Sequence, residues 1–580
     1  MSELPRAVRG SGPVQWGSRD SLSVRGHAPG HTVAVTPASG LPDQPVGRAD
    51  VSVEASQSRE RADELIGWLR SYASDRINSR LIDERRCIPP HLVLDFGNRG
   101  VLGMQVPSQF GGLGLGNRDA MRVVEQLAAI DLTLATFTVN QNFLGIRPIQ
   151  RHGTQALRHD LLPILARGRE LAAFALTELG AGSNPQSLSA TGVPRAAGGW
   201  RLRGTKIWSG SASWAGVINV FVRVIAANGE PGGITGFVVR SGAPGLRHGP
   251  EALTMGMRGM VQSSLHLDSV PVDSAHLLGR VGAGMDAAQD SLTFTRLAIG
   301  AKSVGGMKRC LQLMDRHAAR RSVATGRLLD SPITLARLSD LIAATTAVDA
   351  LVAEVCELLD QGRSVPMEAY IACKTSGSEF LWKSVDGLVQ LLGGRGYIET
   401  NIAPQLLRDA RVFRVFEGPT ETLNMFVGLR VLHQGRELHR FLRDELGAPA
   451  VSDGLREATE RVSRRWSGPT SGSSTGLSGS RRASLLIGEL ATYAILWAAL
   501  QRIVSRAPSA RGAHAVEWIR QQFDRTLANA LADASGTSAL LSAEDATNLI
   551  ATYTEAIGDI EQSLPAEDQD LDVFLRREPM

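Results

Sequence analysis

The spacing of apolar residues changes twice along this chain, and those two changes constrain its architecture more than any other feature. From Arg59 to about Leu171 the period is helical. In RADELIGWLRSYASDRI, residues Leu65, Trp68, Leu69 and Tyr72 fall on one face at i, i+3, i+4, i+7. Asn117 or Asp119 is placed to cap the helix AMRVVEQLAAI, and TLATFTVNQNFLGI and LRHDLLPILARGREL continue the pattern. From about Ala172 to Gly284 the chain turns to Val-, Ile- and Trp-rich runs punctuated by glycine. There SSLHLDSVPV alternates Leu265 and Leu267 with polar neighbours, the period of a half-buried strand. Beyond Met285, long Ala- and Leu-rich helical segments return and run to about Glu437. The expected fold class is α+β multidomain: a helical domain over 59–171, a middle β-domain over 172–284, a helix bundle over 285–437 and an additional helical domain over 438–580.

Composition narrows the function classes. A net charge of +4 over 580 residues is too small to be a nucleic-acid footprint, so no nucleic-acid partner is expected. The four cysteines, Cys87, Cys310, Cys356 and Cys373, form no CxxC pair, so neither a zinc site nor a disulfide scaffold is indicated. A reducing, cytoplasmic setting is the expectation. Residues 1–58 are rich in Gly, Pro, Ser and Val, lack the apolar core of a secretory signal, and read as a disordered arm.

One carboxylate stands out. In RVFRVFEGPTETL, Glu417 follows a hydrophobic run and directly precedes Gly-Pro, where a solvated acid is out of place. Around it, five motifs occur in a fixed order across about 380 residues: FALTELGAGSN (174–184), GTKIW (204–208), TR (295–296), QLLGGRGY (390–397) and RDARVFRVFEGPTETL (408–423). Each alone is weak. Together, with the order helices, β-domain, helix bundle, they resemble the acyl-CoA dehydrogenase family of flavoproteins. The segment 377–397 and the helical tail are most similar to its very-long-chain branch.

That resemblance implies the chemistry. Desaturating a fatty-acyl thioester requires a base for the α-proton and a hydride acceptor for the β-hydrogen, and the acceptor must be a cofactor, FAD in this family. Glu417 matches the family's base, and a carboxylate desolvated beside flavin and acyl chain has a raised pKa suited to removing a carbon-bound proton. Its backbone N–H, followed by Gly418, would polarise the thioester carbonyl. A minority of the family carries the base just before the arginine at 296, but that position is Thr295 here. Phe174, Leu176, Thr177, Gly182 and Ser183 match residues lining the isoalloxazine and pyrophosphate, with Ser183, Arg296 and Gly418 on the substrate side. Trp208, Ser209 and Gly210 match the strand over the flavin's other face, and Pro419, Thr420 and Glu421 follow the base. Arg321, Gln390 and Gly394 match positions reaching the adenosine half of FAD in a neighbouring subunit, which implies a homodimer or tetramer.

The departures from the family pattern are Leu179, Asn184, Ala324, Pro419 and above all Ser209-Gly210-Ser211, where the hydroxyl expected at Gly210 is missing and Ser209 or Ser211 would have to substitute. The resemblance thus implies an acyl-CoA dehydrogenase forming a trans-2-enoyl thioester and passing electrons to an electron-transfer-flavoprotein-like acceptor. The alternatives are an acyl-carrier-protein-linked dehydrogenase, a flavin oxidase or monooxygenase on the same fold, and a non-catalytic relative. In the tail, a Gly/Ser linker over 467–480 is expected between Arg464, Arg465 and Arg481, Arg482. Segment 464–482 is either a solvated linker or a peripheral contact for acidic headgroups or an acidic carrier. The apolar run 485–504 contains Glu489 and is expected to be a buried helix rather than a membrane span.

Overall fold

Leu65 and Leu69 are buried on helix α1 (Arg48–Arg76), as their spacing predicts, but the helix starts inside the segment expected to be a disordered arm. The computed structural model describes residues 48–225, 229–466, 473–532 and 541–559; the remainder of the expected arm lies outside them. The early start of α1 has a tertiary cause. Ser58 is buried, its hydroxyl donating to Asp119 at 2.7 Å and accepting from the Gly116 N–H at 3.0 Å. A polar segment with partners some sixty positions away reads as disorder in isolation.

Those partners open α2 (Asn117–Ile130), which buries Val123, Val124 and Leu127. Neither Asn117 nor Asp119 caps it. Gly116 occupies the cap position, and the free N–H groups of Asn117 and Arg118 donate instead to the Asp360 carboxylate at 2.7 and 2.9 Å. A carboxylate at a helix N-terminus satisfies both the orphan donors and the dipole, whichever element supplies it. A short helix, α3 (Leu132–Val139), follows, buried on every side and capped by Asp131.

The middle domain is an eight-stranded sheet: β1 (Ala172–Ala175), β2 (Thr191–Pro194), β3 (Trp200–Gly210), β4 (Val217–Ile225), β5 (Pro231–Arg240), β6 (Leu246–Glu251), β7 (Gln262–Val272) and β8 (Leu277–Leu278). The order is β6-β7-β3-β2-β4-β5-β8, with β1 pairing β4 in parallel. Residues Val217 to Val222 of β4 are all buried, as a strand covered on both faces requires. The Asn219 amide donates to the Leu144 and Gly145 carbonyls at 3.0 and 2.8 Å, tying the sheet to the helices before it.

Three long helices form the bundle: α4 (Gly284–Arg320), α5 (Pro332–Asp360) and α6 (Met367–Leu392). After them come α7 (Thr420–Gln434), α8 (Pro449–Trp466), α9 (Ser473–Arg506), α10 (Ala510–Ala532) and α11 (Ala543–Ile557). The expected linker over 467–480 is corrected here, because the backbone is already helical from Ser473; 467–472 lie outside the described residues. Helix α9 is held against α7 by a glycine crossing: a Cβ on Gly428 would lie 1.7 Å from the Ser484 carbonyl oxygen, and one on Gly488 would lie 1.8 Å from that of Asn424. Part of α9, Gly479–Arg506, is long and apolar enough to cross a membrane, but 72% of its apolar window is buried inside the protein.

Candidate active site

The chain reaches Glu417 through a 3-10 turn, Val412–Arg414, whose Phe413 is fully buried. It leaves through Pro419, which occupies the cap position of α7. Between them the backbone is left-handed at Glu417 (φ 57°) and Gly418 (φ 101°). A positive φ at a glutamate is strained, and such residues persist only where the surroundings hold them. Two cations do so. The Arg296 Nε of α4 donates to the Glu417 carbonyl at 3.2 Å, and the Lys374 Nζ of α6 donates to the Gly418 carbonyl at 2.5 Å. No backbone carbonyl among the described residues accepts from the Glu417 N–H.

The side chain is equally distinctive. Glu417 Oε2 is buried without a hydrogen-bond partner. Burial pushes its pKa above the ordinary carboxylate value, and the positive charges of Arg296, Lys302 and Lys374 oppose that shift without cancelling it. Thr295 offers no rival base: its hydroxyl donates to the Ser291 carbonyl of its own helix at 2.9 Å.

Lys302 and Lys374 are missing from the sequence reading. Lys302 is fully buried on α4, its Nζ donating to Thr136 Oγ1 of α3 at 3.1 Å and lying 4.7 and 5.2 Å from the ring centres of Phe413 and Phe416. Burial drives its pKa down to about 7 against the pull of Glu417, and drives that of Lys374 down to about 8. A lone lysine in a helical pattern reads as a surface residue, so only the apolar spacing around Lys302 could have flagged it.

A second group of residues gathers at the end of β3. Its pairing with β7 slips between Lys206 and Ser209, and the backbone turns left-handed at Trp208 (φ 52°) and Ser211 (φ 59°). The slip turns the large apolar ring of Trp208 outward, 65% exposed, while Ser209 and Ser211 bury hydroxyls that have no partner. Gly210 sits where a Cβ would meet Asn140 Nδ2 at 2.8 Å, which gives the missing hydroxyl a steric reason. Asn140 follows Thr136 by one turn on and just beyond α3, so this short buried helix links the Trp208 strand end to the Lys302–Glu417 cluster.

The FALTELGAGS loop approaches β3 from β1. Phe174 is half-buried and Leu176 buried; the Thr177 carbonyl accepts the Ile207 N–H at 2.9 Å; Gly182 and Ser183 are exposed, and a Cβ at Gly182 would meet nothing within 4 Å. Glu178, also missing from the sequence reading, fixes this loop from below. It accepts from the Ser189 N–H at 2.7 Å and from the buried Lys206 ammonium at 2.6 Å, and that ammonium also donates to the Leu176 carbonyl at 3.1 Å. Burial works against the Glu178 carboxylate, but these donors outweigh it and hold its pKa below the ordinary value. An exposed indole, two unpartnered buried hydroxyls and an open glycine loop fit a flat cofactor with a phosphate arm.

The remaining expected residues separate into two sets. Thr420 buries an unpartnered hydroxyl at the start of α7, and Glu421 beside it faces Lys374. Arg321, Gln390 and Gly394 are all exposed, at the far ends of the bundle helices. At 1.5 Å per residue, Gln390 lies roughly 24 Å along α6 from Lys374, and Arg321 roughly 37 Å along α4 from Arg296. The chain therefore does not bring these three to its own Glu417.

Three family profiles match this chain in succession: acyl-CoA dehydrogenase, N-terminal domain, over residues 59–169; middle domain, over 173–270; and C-terminal domain, over 282–432. The chain belongs to the acyl-CoA dehydrogenase family. Among curated relatives, the mitochondrial very long-chain specific acyl-CoA dehydrogenase of Bos taurus is 32% identical over 406 residues, an alignment covering 68% of this chain and 61% of that protein. The fold is shared with the acyl-CoA dehydrogenase of Bacillus anthracis complexed with FAD (TM-score 0.67, 20% identity, 89% of this chain and 96% of that one). It is shared also with the prolyl acyl carrier protein oxidase AnaB (TM-score 0.60, 22% identity, 64% of this chain and 98% of that one). Both the family's three-domain order and additional C-terminal helices are present in this member.

Proposed function

We propose that this chain is an FAD-dependent dehydrogenase of acyl-CoA thioesters, forming the trans-2-enoyl product with Glu417 as the α-proton base. The observation that carries the reading is the Glu417 carboxylate: buried, unpartnered at Oε2, raised in pKa, and held on a strained backbone by Arg296 and Lys374. Bound FAD supplies the acceptor for the β-hydrogen, which no side chain can. Trp208, Ser209, Ser211, Phe174, Leu176, Thr177, Gly182 and Ser183 would hold it. Glu417 takes the α-proton on Oε2, and its backbone N–H is free to polarise the thioester carbonyl as negative charge develops there. Arg296 and Lys374 keep the carboxylate and this N–H in fixed relation. An electron-transfer-flavoprotein-like acceptor would take the electrons, and a second copy would complete the site, its Arg321, Gln390 and Gly394 being the residues that would hold the adenosine half. The setting is cytoplasmic, with 464–482 offering a peripheral contact to membrane.

A second reading, an acyl-carrier-protein thioester as donor, is favoured by the likeness to AnaB and by the exposed Arg464, Arg465 and Arg481, which suit an acidic carrier. Spectroscopy separates the readings. Purified protein should be yellow, release FAD rather than FMN, and bleach anaerobically with one range of acyl-CoA chain lengths. Bleaching by an acyl thioester of the carrier protein, and by no acyl-CoA, selects the second reading. Colourless protein that stays inactive with added FAD contradicts both.

A further inference from the structure

We propose that Lys302 is a positioning residue for Glu417: packed against Phe413 and Phe416 of the turn that leads to the glutamate, its ammonium keeps the carboxylate charged and ready to take a proton. The inference rests on the reading of Glu417 as base. Its own support is the placement of Lys302. The side chain has no exposure, and its Nζ finds one neutral oxygen, Thr136 Oγ1, and the two rings of Phe413 and Phe416. Among the described residues Lys302 forms no ion pair within 4 Å, and the charge that favours its ammonium is that of Glu417. A buried ammonium so poorly satisfied is destabilising compared with an apolar residue of its size, so its presence calls for a role in the site.

Three cations surround the carboxylate: Arg296 and Lys302 from α4 and Lys374 from α6. Facing them, α3 contributes the neutral Thr136, and the 412–416 turn contributes only rings. Arg296 and Lys374 give a donor each to the carbonyls of Glu417 and Gly418, and Lys374 is further acted on by Arg296, Glu379 and Glu421. Lys302 holds no part of the Glu417–Gly418 backbone, so its influence on Glu417 is purely that of its charge. Protonated Lys302 favours ionised Glu417. As pH rises through about 7 the ammonium is lost, and with it the bias toward the ionised carboxylate. The charge thus extends the range of the base toward acid.

The test is the pH profile of anaerobic flavin reduction, measured with the acyl-CoA that bleaches the parent fastest. An opposite charge at close range is worth about one pKa unit or more. Lys302→Met should therefore move the acid limb up by about one pH unit, a roughly tenfold loss near pH 6 that disappears by pH 9. Lys302→Arg should restore the limb, and Lys302→Gln, of similar polarity, should not. Glu417→Gln run beside them separates the two claims. If Glu417→Gln bleaches at the parent rate, the base reading fails. If it is dead while Lys302→Met and Lys302→Gln keep the parent limb, only the role of Lys302 is overturned. A second readout needs no substrate. The native ammonium is destabilising below about pH 7, so Lys302→Met should raise Tm there, and the gap should close as pH rises toward the unfolded value of 10.5. In a Glu417→Gln background the gap should begin to close at lower pH, because the ammonium has lost its counter-charge. Equal closing in both backgrounds would contradict the pairing.

Discussion

At the scale of single residues, the site depends on buried charges that hold backbone in place. Glu178 and Lys206 do this for the loop beneath the proposed flavin, meeting at 2.6 Å with side chains almost without exposure. Removing one partner of a buried pair leaves the other uncompensated, which typically costs about 3–5 kcal/mol. Lys206→Met should therefore destabilise the protein by that order in urea unfolding and weaken flavin retention with it, whereas a substitution at exposed Arg203 nearby should do neither. The pH dependence has a definite sign. The folded pKa of Glu178 is depressed below 4.5, so its contribution is complete above that value and is lost as pH falls through the folded pKa. Glu178→Gln should flatten the acid limb of Tm against pH in that window. Glu417, raised instead, contributes with the opposite sign: its penalty grows as pH rises above 4.5 and is complete only above the folded pKa, so Glu417→Gln should raise Tm at neutral pH.

At the scale of elements, what was legible was what is local. The 3.6-residue period of α1 and α4, the alternation in β7 and the glycine-bounded motifs each carry their own signal, so the three-domain order and the segment around Glu417 could be read from the chain. Three features could not. Asp360 caps α2 from across the chain, Ser58 orders the start of α1 through Asp119, and the Gly/Ser run after 472 becomes the first turns of α9. The first two depend on partners that sequence proximity does not reveal, and the third runs against the turn-forming composition of its residues. Lys302 and Lys206 were missed for a related reason: a lysine is ordinarily a solvated residue, and only the packed structure shows these two enclosed. Two element-scale outcomes follow. Asp360→Ala should cost about 1 kcal/mol, the usual worth of a lost N-cap. Gly488→Ala puts a methyl group against the Asn424 carbonyl and must push α9 from α7; overpacking of this kind costs about 1–3 kcal/mol. Because α7 begins directly after Glu417-Gly418-Pro419, Gly488→Ala should also slow flavin reduction more than Asp360→Ala does, a comparison that single-turnover bleaching of the two variants would make.

At the scale of the whole molecule, the geometry of the bundle separates the proposed base from residues expected at the adenosine half of the cofactor. Arg296 and Lys374 lie at Glu417, while Arg321 and Gln390 lie tens of ångströms along the same two helices. If Arg321 and Gln390 serve flavin, it is not the flavin beside their own Glu417, and assembly is required to complete either site. Light scattering on flavin-loaded protein should then give a dimer or larger species, and dilution that yields monomers should release FAD. Arg321→Ala should weaken FAD binding without altering the bleaching rate of sites that remain filled.

The central claim is that Glu417 takes the α-proton, and the most direct measurement is anaerobic flavin reduction under single turnover in parent and Glu417→Gln. The amide keeps the shape of the side chain and leaves the backbone N–H in place, so acyl-CoA should still bind and the oxidised spectrum should be unchanged. General-base catalysis is worth about 10²–10⁴-fold, and flavin bleaching should fall by at least that factor, with Glu417→Asp impaired less. Bleaching of Glu417→Gln at close to the parent rate would mean that another group takes the proton, and the assignment of this site would be wrong.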